Sequence, residues 1–166
     1  MNIYLKALIF LLIYAFLHLK CNHHNIKILR SICIVDESIF QHIKLGFWSY
    51  IFTNAIEYFI DDVDFRYIGI WLFPRLFSSS MIPWLMIVIW YLAPALFDRI
   101  RSLIKMILWD IFATYLSGVF AALIENSLSK NLSSEFKMFI LIFLATSIFL
   151  YIRFTYKRPS IDLFNI

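Results

Sequence analysis

The stretch IKMILWDIFATYLSGVFAALI, from Ile104 to Ile124, decides the class of this chain. It is long enough to cross the ~30 Å hydrocarbon core of a bilayer as a single helix. Its formal charges are Lys105 at one end and Asp110 about a turn and a half further in. A chain of 166 residues has too much surface for its volume to hide such a run from water; lipid removes the difficulty. Outward from this stretch lie four more apolar runs, at residues 3–19, 44–60, 81–97 and 138–152. The expected fold is therefore all-α: a polytopic transmembrane helix bundle of about five spans, forming a single integral membrane domain over residues 1–166. A further apolar stretch at 67–77 is too short to cross alone. Pro74 and Arg75 break it, and Ser78, Ser79 and Ser80 follow, so it is expected to lie in the interface or re-enter, with Trp71 near the headgroups.

Composition agrees. Apolar residues make up 62% of the chain and charged residues 16%, against about 45–50% and 25% in a soluble domain. The formal charge is +4. A basic balance signals nucleic acid when the cations share one face; here they flank apolar runs, so the expected partner is the lipid bilayer and not nucleic acid. The first run begins like a secretion signal, with Lys6 ahead of Ala7 to Leu17, but no small-x-small cleavage site follows. An uncleaved first span is expected, with Lys6 snorkelling at its outer end.

Cation placement gives an orientation. Ten of the 15 Lys and Arg fall in three segments: Lys20, Lys27, Arg30 and Lys44; Arg99, Arg101 and Lys105; and Arg153, Lys157 and Arg158. Five spans put all three segments on one side. By the excess of cations in cytoplasmic loops, the N-terminus is expected outside and the C-terminus in the cytoplasm of a multi-pass cell-membrane protein. Cys21 and Cys33 then lie on the reducing side, and no disulfide is expected. The apolar patch from Ile26 to Val35 is expected to lie along the inner leaflet, and Asp36 to cap the helix after it.

Polar residues within the spans are the candidate site. A charge at the centre of a membrane helix costs about 2.5–3.5 kcal/mol on insertion scales. Asp110, Thr114, Ser117, Gly118, Ala121 and Glu125 follow helical spacing, giving the fourth span one small, polar face. Such a face either packs against another helix or presents Asp110 as a proton- or ion-handling carboxylate. Asn54 and Glu57 share a face near the outer end of the second span, at the depth expected for Arg75. A Glu57–Arg75 ion pair is expected; the functional alternative is an outward-facing site of Glu57, Arg75 and Glu125. Asp110 and Glu57 belong to opposite ends, so no carboxylate dyad is expected. Cys21, His23, His24, Cys33 and His42 cluster in sequence, and both residue types ligate zinc. Their spacing matches neither a CxxC nor an HExxH pattern, so no metal and no other cofactor is expected. GxSxG, Walker and dinucleotide-binding motifs are absent from the sequence.

The closing segment Tyr151-Ile-Arg-Phe-Thr-Tyr-Lys-Arg-Pro159, with Trp109 and Asp110, resembles a family of small uncharacterised multi-pass membrane proteins of spore-forming Firmicutes. The resemblance implies several aromatic-rich spans and a basic aromatic turn after the last helix, and it implies no catalytic residues. The first functional expectation is non-enzymatic: an accessory or structural subunit using the small face of the fourth span against a larger membrane complex, or against a second copy. The second is a small transporter or channel component using an intramembrane carboxylate. The third is a membrane enzyme with a metal in the 21–42 loop.

Overall fold

The computed structural model describes residues 1–20, 30–34, 36, 38–97, 102–128 and 132–157. Among them are five α-helices and no strands: α1 (Ile3–Lys20), α2 (Ile39–Ile60), α3 (Ile68–Phe97), α4 (Leu103–Ser127) and α5 (Ser134–Tyr156). Three are long and apolar enough to cross a membrane, namely α4, α5 and the Ile68–Leu92 part of α3, while the apolar part of α1, Ile3–Leu19, is shorter.

α2 falls outside that set because it is the polar centre of the bundle. Gln41, Lys44, Ser49, Thr53, Asn54 and Glu57 are all buried on it. Helices α1 and α3 each pack on both α2 and α4, which closes a four-helix ring. α5 lies outside this ring. It meets α3 where Phe77 touches Phe136, and α2 where Phe40 and Phe47 pack on Tyr151. Consecutive helices run antiparallel. The start of α1, the end of α2, the first turns of α3 and the end of α4 meet at one end of the ring. The end of α1, the start of α2 and the later turns of α3 meet at the other.

The core between the ends is apolar, built on Phe10, Tyr50, Ile82, Met86 and Ala121. The outside is apolar too: Leu12, Val88, Ile104 and Ile142 are each at least 60% exposed. A soluble protein rarely exposes apolar patches that wide; lipid accepts them.

The expected break between an interfacial 67–77 segment and a span at 81–97 does not occur. Both belong to the one helix α3. Two of the three serines are satisfied locally. The Ser79 hydroxyl donates to the Arg75 carbonyl at 2.8 Å and that of Ser80 to the Leu76 carbonyl at 3.1 Å. Pro74 and Pro83 each remove one N–H, a loss membrane helices tolerate when neighbours re-satisfy the backbone. The real break lies earlier, at Asp61 to Asp64, where Asp62 adopts φ 44°. Asp is among the few residues that take this left-handed region readily.

Three other expectations change. Asp36 does not cap α2 directly; its Oδ1 accepts from the Ser38 N–H at 3.0 Å, closing the turn ahead of the helix. Lys44 is no loop cation. It is buried within α2, donating to the Arg30 carbonyl at 2.9 Å and the Thr155 hydroxyl at 3.2 Å. Cys33 is disulfide-bonded; the expectation of free thiols rested on compartment, which says nothing of proximity. The other cysteine, Cys21, lies outside the described residues, as do residues 26–29 and 35 of the 26–35 patch.

Candidate functional site

One face of α1 carries Lys6, Phe10, Tyr14 and His18 at intervals of four. That spacing aligns side chains on one side of a helix, so a single α1 surface serves both ends of the ring. At the α2–α3 turn end it delivers Lys6. The Lys6 ammonium donates to Glu57 Oε2 at 2.6 Å and to Glu125 Oε2 at 2.5 Å. Arg75 Nε donates to the same Glu57 oxygen at 2.8 Å. The second Glu125 oxygen accepts from the Tyr50 hydroxyl at 2.8 Å. Lys6 and Glu57 are 2% exposed and the Glu125 side chain 4%.

Two cations and two carboxylates from four helices thus share one buried point. An isolated charge there would cost several kcal/mol; mutual pairing with full hydrogen bonding is what makes the burial tolerable. The Arg75 guanidinium lies 4.1 Å from the centroid of the Trp71 ring, and its Nη1 donates to the Trp71 carbonyl at 2.9 Å. Asn54 Nδ2 donates to Ser79 Oγ at 3.0 Å. A cleft of about 530 Å³ opens beside the cluster, lined by Val63, Tyr67, Trp71, Arg75, Glu125 and Asn126 among others. That volume lies within the usual range of small-molecule pockets, ~300–1,000 Å³.

The structure therefore brings together Glu57, Arg75, Glu125 and Asn54, and it leaves Asp110 apart. Asp110 is half-buried near the start of α4, within electrostatic reach of His18. There His18 stacks on His42 with ring centroids 5.2 Å apart. The Tyr14 hydroxyl and His42 Nδ1 are 2.9 Å apart, and the Trp90 ring meets His42 edge-on. Of the five weak metal candidates, Cys21, His23 and His24 lie outside the described residues. Among those described, no three of His, Cys, Asp and Glu gather as a metal site.

Sequence reasoning missed Lys6 and Tyr50. Lys6 was placed at a headgroup, yet it is ion-paired in the core; its place in the Phe10–Tyr14–His18 row was the signal. On the small face of α4, Thr114, Ser117, Gly118, Ala121 and Glu125 are buried, while Asp110, expected on the same face, is only half-buried. The occupant of that face is α1. A Cβ on Gly118 would sit 2.7 Å from the Phe10 ring and 3.2 Å from the Ala7 backbone.

No protein-family model matches this chain, and no curated protein or solved structure matches it.

Proposed function

We propose that this is a five-crossing membrane protein whose Lys6–Glu57–Arg75–Glu125 cluster forms a one-sided site for a small zwitterionic solute. Its role is that of a transport or sensing component rather than a catalyst. The observation that carries this reading is the convergence of four charged side chains, two of which line a cleft. Ionisable groups inside membrane bundles mark substrate and ion paths far more often than chance placement would. A zwitterion suits the lining: Arg75 answers a carboxylate, Glu125 an ammonium, and Trp71 and Tyr67 an apolar body. Phe10, Tyr50 and Met86 fill the core beyond the cluster, so access comes from one side.

The accessory-subunit reading needed the small face of α4, and α1 already occupies it. The alternating helix directions support five crossings, and the cation count supports an outside N-terminus, which puts the cleft on the exterior. A disulfide at Cys33 belongs to an oxidising compartment and pulls the other way. A reporter fused after Ile166 decides the matter; an exterior reporter sinks the orientation.

The site itself is tested on the full chain in lipid nanodiscs by thermal unfolding with millimolar leucine, leucinol or isovalerate. Leucine is expected to raise the midpoint more than either half-charged analogue, and Glu125→Gln to abolish the difference. Equal shifts from all three, or none, would remove the zwitterion site.

A further inference from the structure

A second cavity lies on the far side of the Trp71–Arg75 ridge, between α2 and α3. Its volume is about 350 Å³, and its lining includes Ile51, Asn54, Tyr58, Phe59, Trp71 and Leu76. The lining is apolar apart from Asn54, Trp71, Arg75 and Ser79, and two polar atoms among these stand out as exceptions to full hydrogen bonding. Asn54 Oδ1 and Trp71 Nε1 are buried and have no hydrogen-bond partner among the described residues. Asn54 as a whole is only 8% exposed. Its amide nitrogen is used, on Ser79 Oγ, so the free position is an acceptor. The indole N–H is a donor. Leaving either unmet forfeits the hydration that burial removed, and buried polar groups in folded proteins are almost always met.

From this pairing we infer that the α2–α3 groove is a binding site for a neutral lipid carrying a free hydroxyl, such as a long-chain alcohol or a diacylglycerol. A hydroxyl both donates and accepts, so one such group answers both exceptions while the hydrocarbon covers the apolar lining. The depth narrows the class. Asn54 lies six residues before the end of α2 at Ile60, about 9 Å along the axis at 1.5 Å per residue. A phosphate drawn that far into the groove would lose its hydration against a surface that is almost wholly hydrocarbon. A neutral headgroup carries no such cost. Trp71 and Arg75 line both the groove and the cleft, but the inference rests on the Asn54 carbonyl and the Trp71 indole and needs no zwitterion in the cleft.

The test uses the full chain in nanodiscs, photolabelled with a diazirine-bearing long-chain alcohol or with its methyl ether. The ether can still accept from Trp71 but cannot donate to Asn54. The alcohol is expected to label peptides covering Ile51–Phe59 and Ile68–Ser79 about fivefold more than the ether, the ratio one hydrogen bond supplies. Asn54→Leu should erase that preference. Trp71→Phe, which keeps a ring beside Tyr58 and beneath Arg75, should lower labelling by both probes. If Asn54→Leu is not monodisperse, Trp71→Phe alone carries the decision. Equal labelling by alcohol and ether, labelling spread over all five helices, or unchanged labelling in Trp71→Phe would overturn the inference.

Discussion

The two ends of the four-helix ring solve the same difficulty in opposite ways. At the α2–α3 turn end, Lys6, Glu57, Arg75 and Glu125 carry full charges and are taken out of solvent, with each carboxylate bonded at least twice. At the other end, Tyr14, His18, His42 and Trp90 bring aromatic rings together, His18 stacked on His42 and Trp90 edge-on to it, and Asp110 is left half-buried. Both ends hang from the same face of α1. The difference teaches where the bundle can yield. A network of buried charges responds steeply to the loss of any member, whereas an aromatic stack loses one modest contact at a time.

That contrast breaks first at Lys6. Lys6→Met leaves Glu125 without its paired cation and Glu57 with Arg75 and the Met1 ammonium, 3.5 Å away. The expected cost is about 3–5 kcal/mol, the usual penalty for orphaning a buried charge, read as a lowered unfolding midpoint in detergent. Adding Glu125→Gln restores neutrality, because Glu57 and Arg75 still pair and a Gln carbonyl still accepts from Tyr50. The double variant should then be more stable than Lys6→Met alone, a non-additivity that a double-mutant cycle measures directly. If Lys6→Met unfolds where the parent chain does, the charged end is not a closed network.

The seam joining the two ends is next. Gly118 lets α1 and α4 approach, and a Cβ there meets the Phe10 ring and the Ala7 backbone. A ring can turn aside but a backbone cannot, so Gly118→Ala is expected to cost about 1–3 kcal/mol, the range for overpacking. Gly69, in the first turn of α3, has nothing within 4 Å of its would-be Cβ. Gly69→Ala should therefore stabilise, by at most the ~0.5–1 kcal/mol that a helical glycine forfeits. The same substitution thus takes opposite signs at two glycines, and unfolding midpoints for both variants check it. A neutral Gly118→Ala would mean the helices stand further apart than the packing shows.

How much of this was legible in the sequence depends on distance along the chain. The Glu57–Arg75 pair was readable because both lie within 18 residues of each other at one depth. The small face of α4 was readable from spacing alone. Lys6 was not. A lysine near the end of an apolar run reads equally as snorkelling or as paired, and its partner Glu125 is 119 residues away. The continuity of α3 was hidden because Pro74, Arg75 and three serines are breakers in water. In the bundle Arg75 is neutralised by Glu57, and the Ser79 and Ser80 hydroxyls bond back along their own helix. α2 was read as a span from its apolar residues, yet its polar ones explain its place: they face the middle of the ring. Asn54 was noted for its helical phase with Glu57; nothing in the sequence could show that its amide would meet Ser79 on one side and nothing on the other.

The smallest effects belong to the histidine end. Tyr14→Phe removes the contact to His42 and is expected to cost about 1 kcal/mol, the net worth of one hydrogen bond. Asp110→Asn should change stability by about 0.5 kcal/mol or less, as for a substitution away from any packed network. Its value is as a discriminator. Sequence alone makes Asp110 the natural ion-handling carboxylate, since it stands nearest the middle of an apolar helix. The geometry favours Glu57 and Glu125, which are ion-paired and more buried, Glu125 lining the cleft, while Asp110 has His18 as its electrostatic neighbour and lies at the opposite end. Asp110→Asn should accordingly retain the leucine-dependent rise in unfolding midpoint that Glu125→Gln loses. Should the two variants exchange behaviours, the half-exposed end is the working one, and the buried network is reduced to a lock that holds α1 in the ring.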